Sequence, residues 1–212
     1  MIKVCEIFTS IQGESSHAGL PCTFVRLSGC NLRCVYCDTS YAYDEGTEMS
    51  VQEILERVSE SGVPLVEITG GEPLLASETP GLARALLDRG FEVLVETNGS
   101  RDISVLPEGA VRIMDIKTPG SGMSGYNRAE NIRLLRPSDE VKFVIGDEED
   151  YHWSLRFIRE HGLEQMCGVL LSPVHGRLDI GLLVEWMLRD RVKARLNLQL
   201  HKYIFGPDAR GV

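Results

Sequence analysis

The sequence predicts an α/β fold built on a parallel sheet, and three features carry that prediction. Short β-branched runs alternate with amphipathic stretches of helical length, capping residues stand at the ends of those stretches, and polar clusters fall where the strand-like runs stop. With right-handed crossovers, such a succession curls into an open or barrel-like sheet whose chemistry sits beyond the carboxyl ends of its strands. No repeat, low-complexity tract or linker rich in Pro or Ser divides the 212 residues, so one domain spanning 1–212 is expected.

In chain order, strand-like runs fall at residues 3–8, 22–27, 64–69, 91–97, 111–116, 140–145, 168–171 and 194–200. Ser50-Val-Gln-Glu53 is a capping box that opens a helix to about residue 61. Thr79-Pro80 with Gly90 behind it marks the next helix, by N-cap, first-turn proline and terminal glycine. Residues 147–161 ahead of Gly162, and residues 179–189, complete the clearer helices, and 127–135 is a shorter one. The final run places Leu196, Leu198 and Leu200 on one face and Asn197, Gln199 and His201 on the other, as a strand with one polar face does.

A chain that is 43% hydrophobic and 25% charged has enough apolar material for a packed core, which argues against disorder. Its 22 basic against 31 acidic residues give a net charge of −9, which repels phosphate backbones and excludes a general nucleic-acid binder. No segment reads as a signal-peptide core or a membrane span, so a cytoplasmic location is expected. Of the six cysteines, Cys30, Cys34 and Cys37 crowd together, a poor disulfide framework but a good metal-site pattern.

Those three lie in Ser28-Gly29-Cys30-Asn31-Leu32-Arg33-Cys34-Val35-Tyr36-Cys37-Asp38-Thr39, just past a strand end, at C-x3-C-x2-C spacing. Cysteine thiolates hold iron–sulfur clusters, and a cube of four irons with three local thiolates leaves one iron open to an external ligand. A structural zinc site completed by Cys22, His17 or Asp38 is the alternative. Cys5, Cys22 and Cys167 read as small apolar residues of their own strands.

Polar residues recur at the other strand ends: Gly70-Gly71-Glu72-Pro73, Glu96-Thr97-Asn98-Gly99, Asp115-Ile116-Lys117 and Ser172-Pro173-Val174-His175. Each taken singly is also a plain turn or cap. Together they suit a ligand-lined mouth in which Glu72 accepts from an ammonium, Asp115 or Ser172 takes ribose hydroxyls, and Lys117 takes a carboxylate. Near the start, Gln12-Gly13-Glu14 offers an amide and a carboxylate to a guanidine-like heterocycle edge.

The cysteine spacing, with Tyr36 immediately before the last thiol and the GGEP turn following in order, resembles the radical S-adenosylmethionine superfamily. The resemblance implies a partial (incomplete) β/α barrel and a 4Fe-4S cluster on Cys30, Cys34 and Cys37. It also implies S-adenosylmethionine chelated at the open iron and cleaved reductively to a 5′-deoxyadenosyl radical. The cofactor pocket it implies is made by Tyr36 and Asp38, the turn Gly70-Gly71-Glu72, and the strand ends Asp115-Ile116-Lys117 and Ser172-Pro173-Val174-His175.

Taken with IFxSIQGE, the ETNG segment and the closing QLHKYIFG, the chain is similar to one branch of that superfamily. Members of that branch contract 6-carboxy-5,6,7,8-tetrahydropterin to 7-carboxy-7-deazaguanine with loss of ammonia, on the way to queuosine and other 7-deazapurines. The likeness implies that Ile11, Gln12, Gly13 and Glu14 hold the pterin edge, Arg26 its carboxylate, and Thr69 and His201 further polar groups. It implies Mg2+ on Thr39, a homodimer, a flavodoxin-like electron donor, and no catalytic side chain, because the cofactor carries the radical. Two other readings of the loop are an activase that installs a glycyl radical on a partner protein, and a zinc-stabilised or electron-transfer module.

Overall fold

The computed structural model describes residues 1–212. Strand β1 (Ile2–Ile11) pairs antiparallel with β2 (Pro21–Leu27), and β3 (Thr47–Met49), which the sequence pattern does not signal, adds antiparallel to the far edge of β1. From β2 a parallel series runs through β4 (Leu65–Gly70), β5 (Glu92–Thr97), β6 (Val111–Ile116), β7 (Glu140–Ile145), β8 (Gly168–Pro173) and β9 (Arg195–Leu196). The sheet order is β3-β1-β2-β4-β5-β6-β7-β8-β9, and the edge strands do not pair, so the barrel is partial.

The helices are α1 (Val51–Glu60), α2 (Thr79–Asp88), α3 (Glu148–His161), the short α4 (Leu163–Met166), α5 (Ile180–Asp190) and α6 (Leu200–Ile204). The Ser50 capping box forms as expected, with Ser50 Oγ accepting from the Glu53 amide at 3.2 Å and Glu53 accepting from the Ser50 amide at 2.7 Å. Thr79 does not cap α2: its hydroxyl donates to the Pro73 carbonyl at 2.6 Å, and Glu78 takes the cap position. Residues 127–135 form 3-10 turns over Ala129–Leu134, because the Asn131 carboxamide bonds the backbone of Gly99, Arg101 and Ile103.

The expected terminal strand 194–200 is mostly not a strand. Only Arg195–Leu196 pairs with β8, and after the Asn197 amide bonds the Leu171 carbonyl at 2.9 Å the chain leaves the sheet. Asn197 and Gln199 turn inward to bond Ser172 and Glu14, and α6 begins at Leu200, whose amide donates to the Gly13 carbonyl at 2.9 Å. The alternation of polar and apolar residues there serves a crossing segment rather than a ladder.

Period-two alternation splits each parallel strand into two rows. The outward row includes Val25, Val66, Ile68, Val93 and Val95, packed with Ile54 and Val58 of α1 and Leu82 and Leu86 of α2. Further along it continues as Met114, Val141, Phe143 and Leu171, packed with Tyr151 and Leu155 of α3 and Leu183 and Trp186 of α5. Burying each large side chain of this row contributes about 1.5–3 kcal/mol. The inward row is apolar at its lower end, where Cys22, Phe24, Leu94 and Ile113 form a plug, and polar one step later at Arg26, Glu96 and Asp115.

Candidate active site

Above the plug a cavity of about 540 Å3 opens at the carboxyl ends of the strands. It gathers residues from across the chain: Gln12 and Glu14 of the β1–β2 turn, all three clustered cysteines, Lys117 and Lys142, the Ser172–His175 end of β8, and His201. Every site residue expected from the sequence lines it except Glu72 and Ile116. Ile116 belongs to the outward core. The Glu72 carboxylate accepts from the Leu74 amide (2.9 Å), the Thr97 hydroxyl (2.7 Å) and the Asn98 amide (2.6 Å). It braces the end of β5 rather than standing open for an ammonium, and burial pushes its carboxyl above the usual range.

The two turn glycines line the cavity and also allow close backbone packing. A Cβ on Gly71 would lie 2.1 Å from the Gly29 carbonyl oxygen and 2.9 Å from Cys30 Cβ, so this position seats the cysteine loop against β4. Within the loop, Cys30 Sγ accepts from the Leu32 amide at 3.4 Å and the Asn98 side chain at 3.8 Å. Arg33 donates to the Cys30 and Leu32 carbonyls at 2.8 and 2.7 Å and lies over the Tyr43 ring, 4.1 Å from its centre.

Burial pushes the Cys30 and Cys34 thiols up; the Lys117 ammonium pulls against that shift in both. Three soft thiols facing one cavity, with amide donors on one sulfur, suit an iron–sulfur cube with an open corner. The zinc alternative lacks its fourth ligand. Cys22 is fully buried in the plug below, His17 lies 3.1 Å from Glu92 at the opposite end of β5, and the Asp38 carboxylate is taken by Thr39, Gln199 and Lys202. No three His, Cys, Asp or Glu side chains converge as a single-ion site requires.

A network of buried charges floors the cavity. Lys142 Nζ donates to Glu14 at 2.9 Å and to Glu96, and lies 3.9 Å from Asp115. Asp115 also takes Lys117 at 2.8 Å, the Thr69 hydroxyl donates to Glu96 at 3.0 Å, and Gln12 donates to Glu67. Desolvation works against the Lys142 charge, yet Glu14, Glu96 and Asp115 hold its ammonium well above the ordinary lysine range. Burial, reinforced by the Glu96 charge, pushes the Glu67 carboxyl well above its ordinary value. For Glu96, burial is outweighed by Lys142 and the Thr69 hydroxyl, and its pKa falls.

At the rim, Arg26 Nε donates to Glu6 at 2.7 Å, while its two terminal nitrogens make no bond within the protein. Thr39 donates to Asp38 at 2.9 Å and does not cap the 3-10 turn that follows it. Asp38 in turn accepts from Lys202 and, at 3.1 Å, from Gln199, which docks the terminal segment on the cysteine loop. Burial would raise the Asp38 carboxyl, but the Lys202 ammonium and these bonds hold it far below the usual carboxylate range. Gly13 is needed beneath His201, where a Cβ would lie 2.3 Å from Nδ1; desolvation in that seat lowers the imidazole pKa.

Lys142, Glu67, Gln199 and Lys202 are site residues that sequence reasoning missed. The one signal available was a lysine in the middle of the apolar run Glu-Val-Lys-Phe-Val-Ile.

Residues 24–177 carry the sequence pattern of the Radical SAM superfamily. With the open barrel and the three-thiol loop beyond β2, the chain belongs to that superfamily. Over its full length it is 50% identical to the 7-carboxy-7-deazaguanine synthase of Chlorobaculum tepidum, covering 97% of that protein. It is 43% identical to the 7-carboxy-7-deazaguanine synthase of Koribacter versatilis, with both chains covered completely. Within the superfamily, the chain is a member of the 7-carboxy-7-deazaguanine synthase family. The crystal structure of QueE from Escherichia coli shares the fold, with a TM-score of 0.78 over 94% of each chain at 21% identity.

Proposed function

We propose that the chain converts 6-carboxy-5,6,7,8-tetrahydropterin to 7-carboxy-7-deazaguanine with loss of ammonia, as one catalytic domain over residues 1–212. The observation that carries this reading is that the thiol loop and the Gln12-Gly13-Glu14 turn face one and the same cavity. A 4Fe-4S cluster on Cys30, Cys34 and Cys37, with S-adenosylmethionine, supplies reductive cleavage and a hydrogen-abstracting radical. The protein's own work is to bind, orient and exclude water.

Glu14 and Gln12 offer acceptors to the amino-pyrimidine edge of the pterin, with Ile11 and Gly13 as the floor of the turn and Thr69 and His201 as further polar contacts. Arg26 turns its unpaired fork to the carboxylate. On the cofactor side, Tyr36, Asp38, Gly70 and Gly71 border the methionine end, and Asp115, Lys117 and Ser172–His175 the nucleoside end. Glu72 and Ile116 act there through the strand ends they brace.

Mg2+ would be held by the Thr39 hydroxyl with substrate oxygens and water, a donor set that suits a hard octahedral cation. A flavodoxin-like donor fits the outer side of the loop, where Val35 is 75% exposed and Arg33 and Arg101 stand at the surface. No helix is long and apolar enough to cross a membrane, and we read the enzyme as a cytoplasmic homodimer. The activase reading is not favoured, because the cavity presents donors and acceptors matched to a small anionic heterocycle.

The test is anaerobic reconstitution with iron and sulfide, then incubation with S-adenosylmethionine, reductant, Mg2+ and the pterin. The expected result is 7-carboxy-7-deazaguanine and ammonia without stoichiometric accumulation of 5′-deoxyadenosine. Cofactor cleavage without product would overturn the substrate, and no cleavage at all would overturn the radical chemistry.

A further inference from the structure

Lys142 is 93% hidden in the inward row of β7, the one charge in the interior of a strand that otherwise runs apolar after Glu140. Its cross-strand partner is Asp115 on β6, and its ammonium reaches Glu14 of the β1–β2 turn and Glu96 of β5. One cation thus contacts carboxylates from three separate elements. Around it stand Glu67 on β4, Lys117 just past the end of β6 and His201 of α6, so acidic groups outnumber cations on this floor.

An ammonium has three hydrogens. Two are directed to Glu14 and Glu96, while Asp115 is already served by Lys117 at 2.8 Å. Glu14 is further fixed by Gln199 at 3.0 Å and Asn197 at 3.4 Å. The arrangement ties two cavity-lining carboxylates from separate elements to one shared cation. Truncating Lys142 would leave Glu14 and Glu96 buried without their shared cation, and they would separate or take up protons.

We propose that Lys142 is a positioning residue for substrate recognition, holding Glu14 and Glu96 together as acceptors for the pterin edge. This rests on the substrate reading above. It places the residue that organises recognition on β7, a strand that carries none of the sequence motifs.

The experiment measures pterin binding calorimetrically to the anaerobically reconstituted enzyme saturated with S-adenosylmethionine, for wild type, Lys142→Met, Lys142→Arg, Glu14→Gln and the double variant Glu14→Gln/Lys142→Met. Lys142→Met should weaken pterin binding about tenfold to a hundredfold, the span expected for hydrogen bonds to charged groups. Affinity for S-adenosylmethionine should change less, because Lys117 keeps Asp115 paired. Lys142→Arg should recover part of the loss, and the two single effects should be markedly less than additive in the double variant.

Where Lys142→Met does not fold, Lys142→Gln gives a smaller weakening in the same direction. Wild-type affinity in the methionine or glutamine variant, equal losses for pterin and cofactor, or fully additive effects would each overturn the role. If wild type itself does not bind the pterin, the substrate reading falls and this inference with it; wild-type binding matched by Lys142→Met removes the inference alone.

Discussion

The two faces of the same parallel strands obey different rules. On the outward face, Val66, Ile68, Val93, Val95, Val141 and Phe143 sit against four amphipathic helices, and any apolar side chain of similar volume would serve. On the inward face one residue further along, Arg26, Glu67, Thr69, Glu96, Asp115 and Lys142 are held by named partners from distant parts of the chain. The outward row supplies the free energy of folding; the inward row uses part of it to keep charges buried in fixed positions. Function therefore sits where the packing pattern is broken.

Substitutions on either face separate these roles. The largest functional effect belongs to the thiols: Cys30→Ser, Cys34→Ser or Cys37→Ser should leave iron retention and product formation below detection, whereas Cys22→Ala in the plug should retain iron, as read by metal analysis and absorbance. Phe143→Ala, on the outward face, should cost about 3–5 kcal/mol in urea unfolding while the folded fraction binds ligand normally. Gly71→Ala joins the faces. Its Cβ meets the Gly29 carbonyl, so about 1–3 kcal/mol of strain should appear together with weaker iron retention.

Thr39→Ala should raise the Mg2+ needed for half-maximal turnover about tenfold with little change in stability. An unchanged Mg2+ response would remove Thr39 as a ligand. The smallest effect is a pH dependence at Glu67. Its folded pKa lies above the unfolded value near 4.5, so between the two the native state holds a proton that the unfolded state has lost. Stability attributable to this group then falls as pH rises from about 4.5, and Glu67→Gln should flatten that fall. Parallel wild-type and variant stability curves would show that Glu67 is ionised in the fold.

Much of the outward face was legible in the sequence, because period-two apolar runs and the capping box at Ser50 are local signals. The cysteine loop was legible for the same reason. The inward network was not, since Lys142 meets partners 128 and 46 residues away and nothing local marks such pairs. The terminal segment 194–200 misled in the opposite sense: Asn197 and Gln199 alternate like strand residues but turn inward to bond Ser172 and Glu14. Glu72, read as a ligand contact, proves to be held by three donors of its own fold, a role that only the position of β5 reveals.

The central claim is that Cys30, Cys34 and Cys37 carry a cube with one iron open to S-adenosylmethionine. Electron–nuclear double resonance on the reduced, reconstituted protein with S-adenosylmethionine labelled with nitrogen-15 at its amino group tests it directly. The account predicts a strong hyperfine coupling from that nitrogen and a changed cluster spectrum on adding the cofactor. A spectrum indifferent to the cofactor, or one showing a fourth protein ligand, would contradict it.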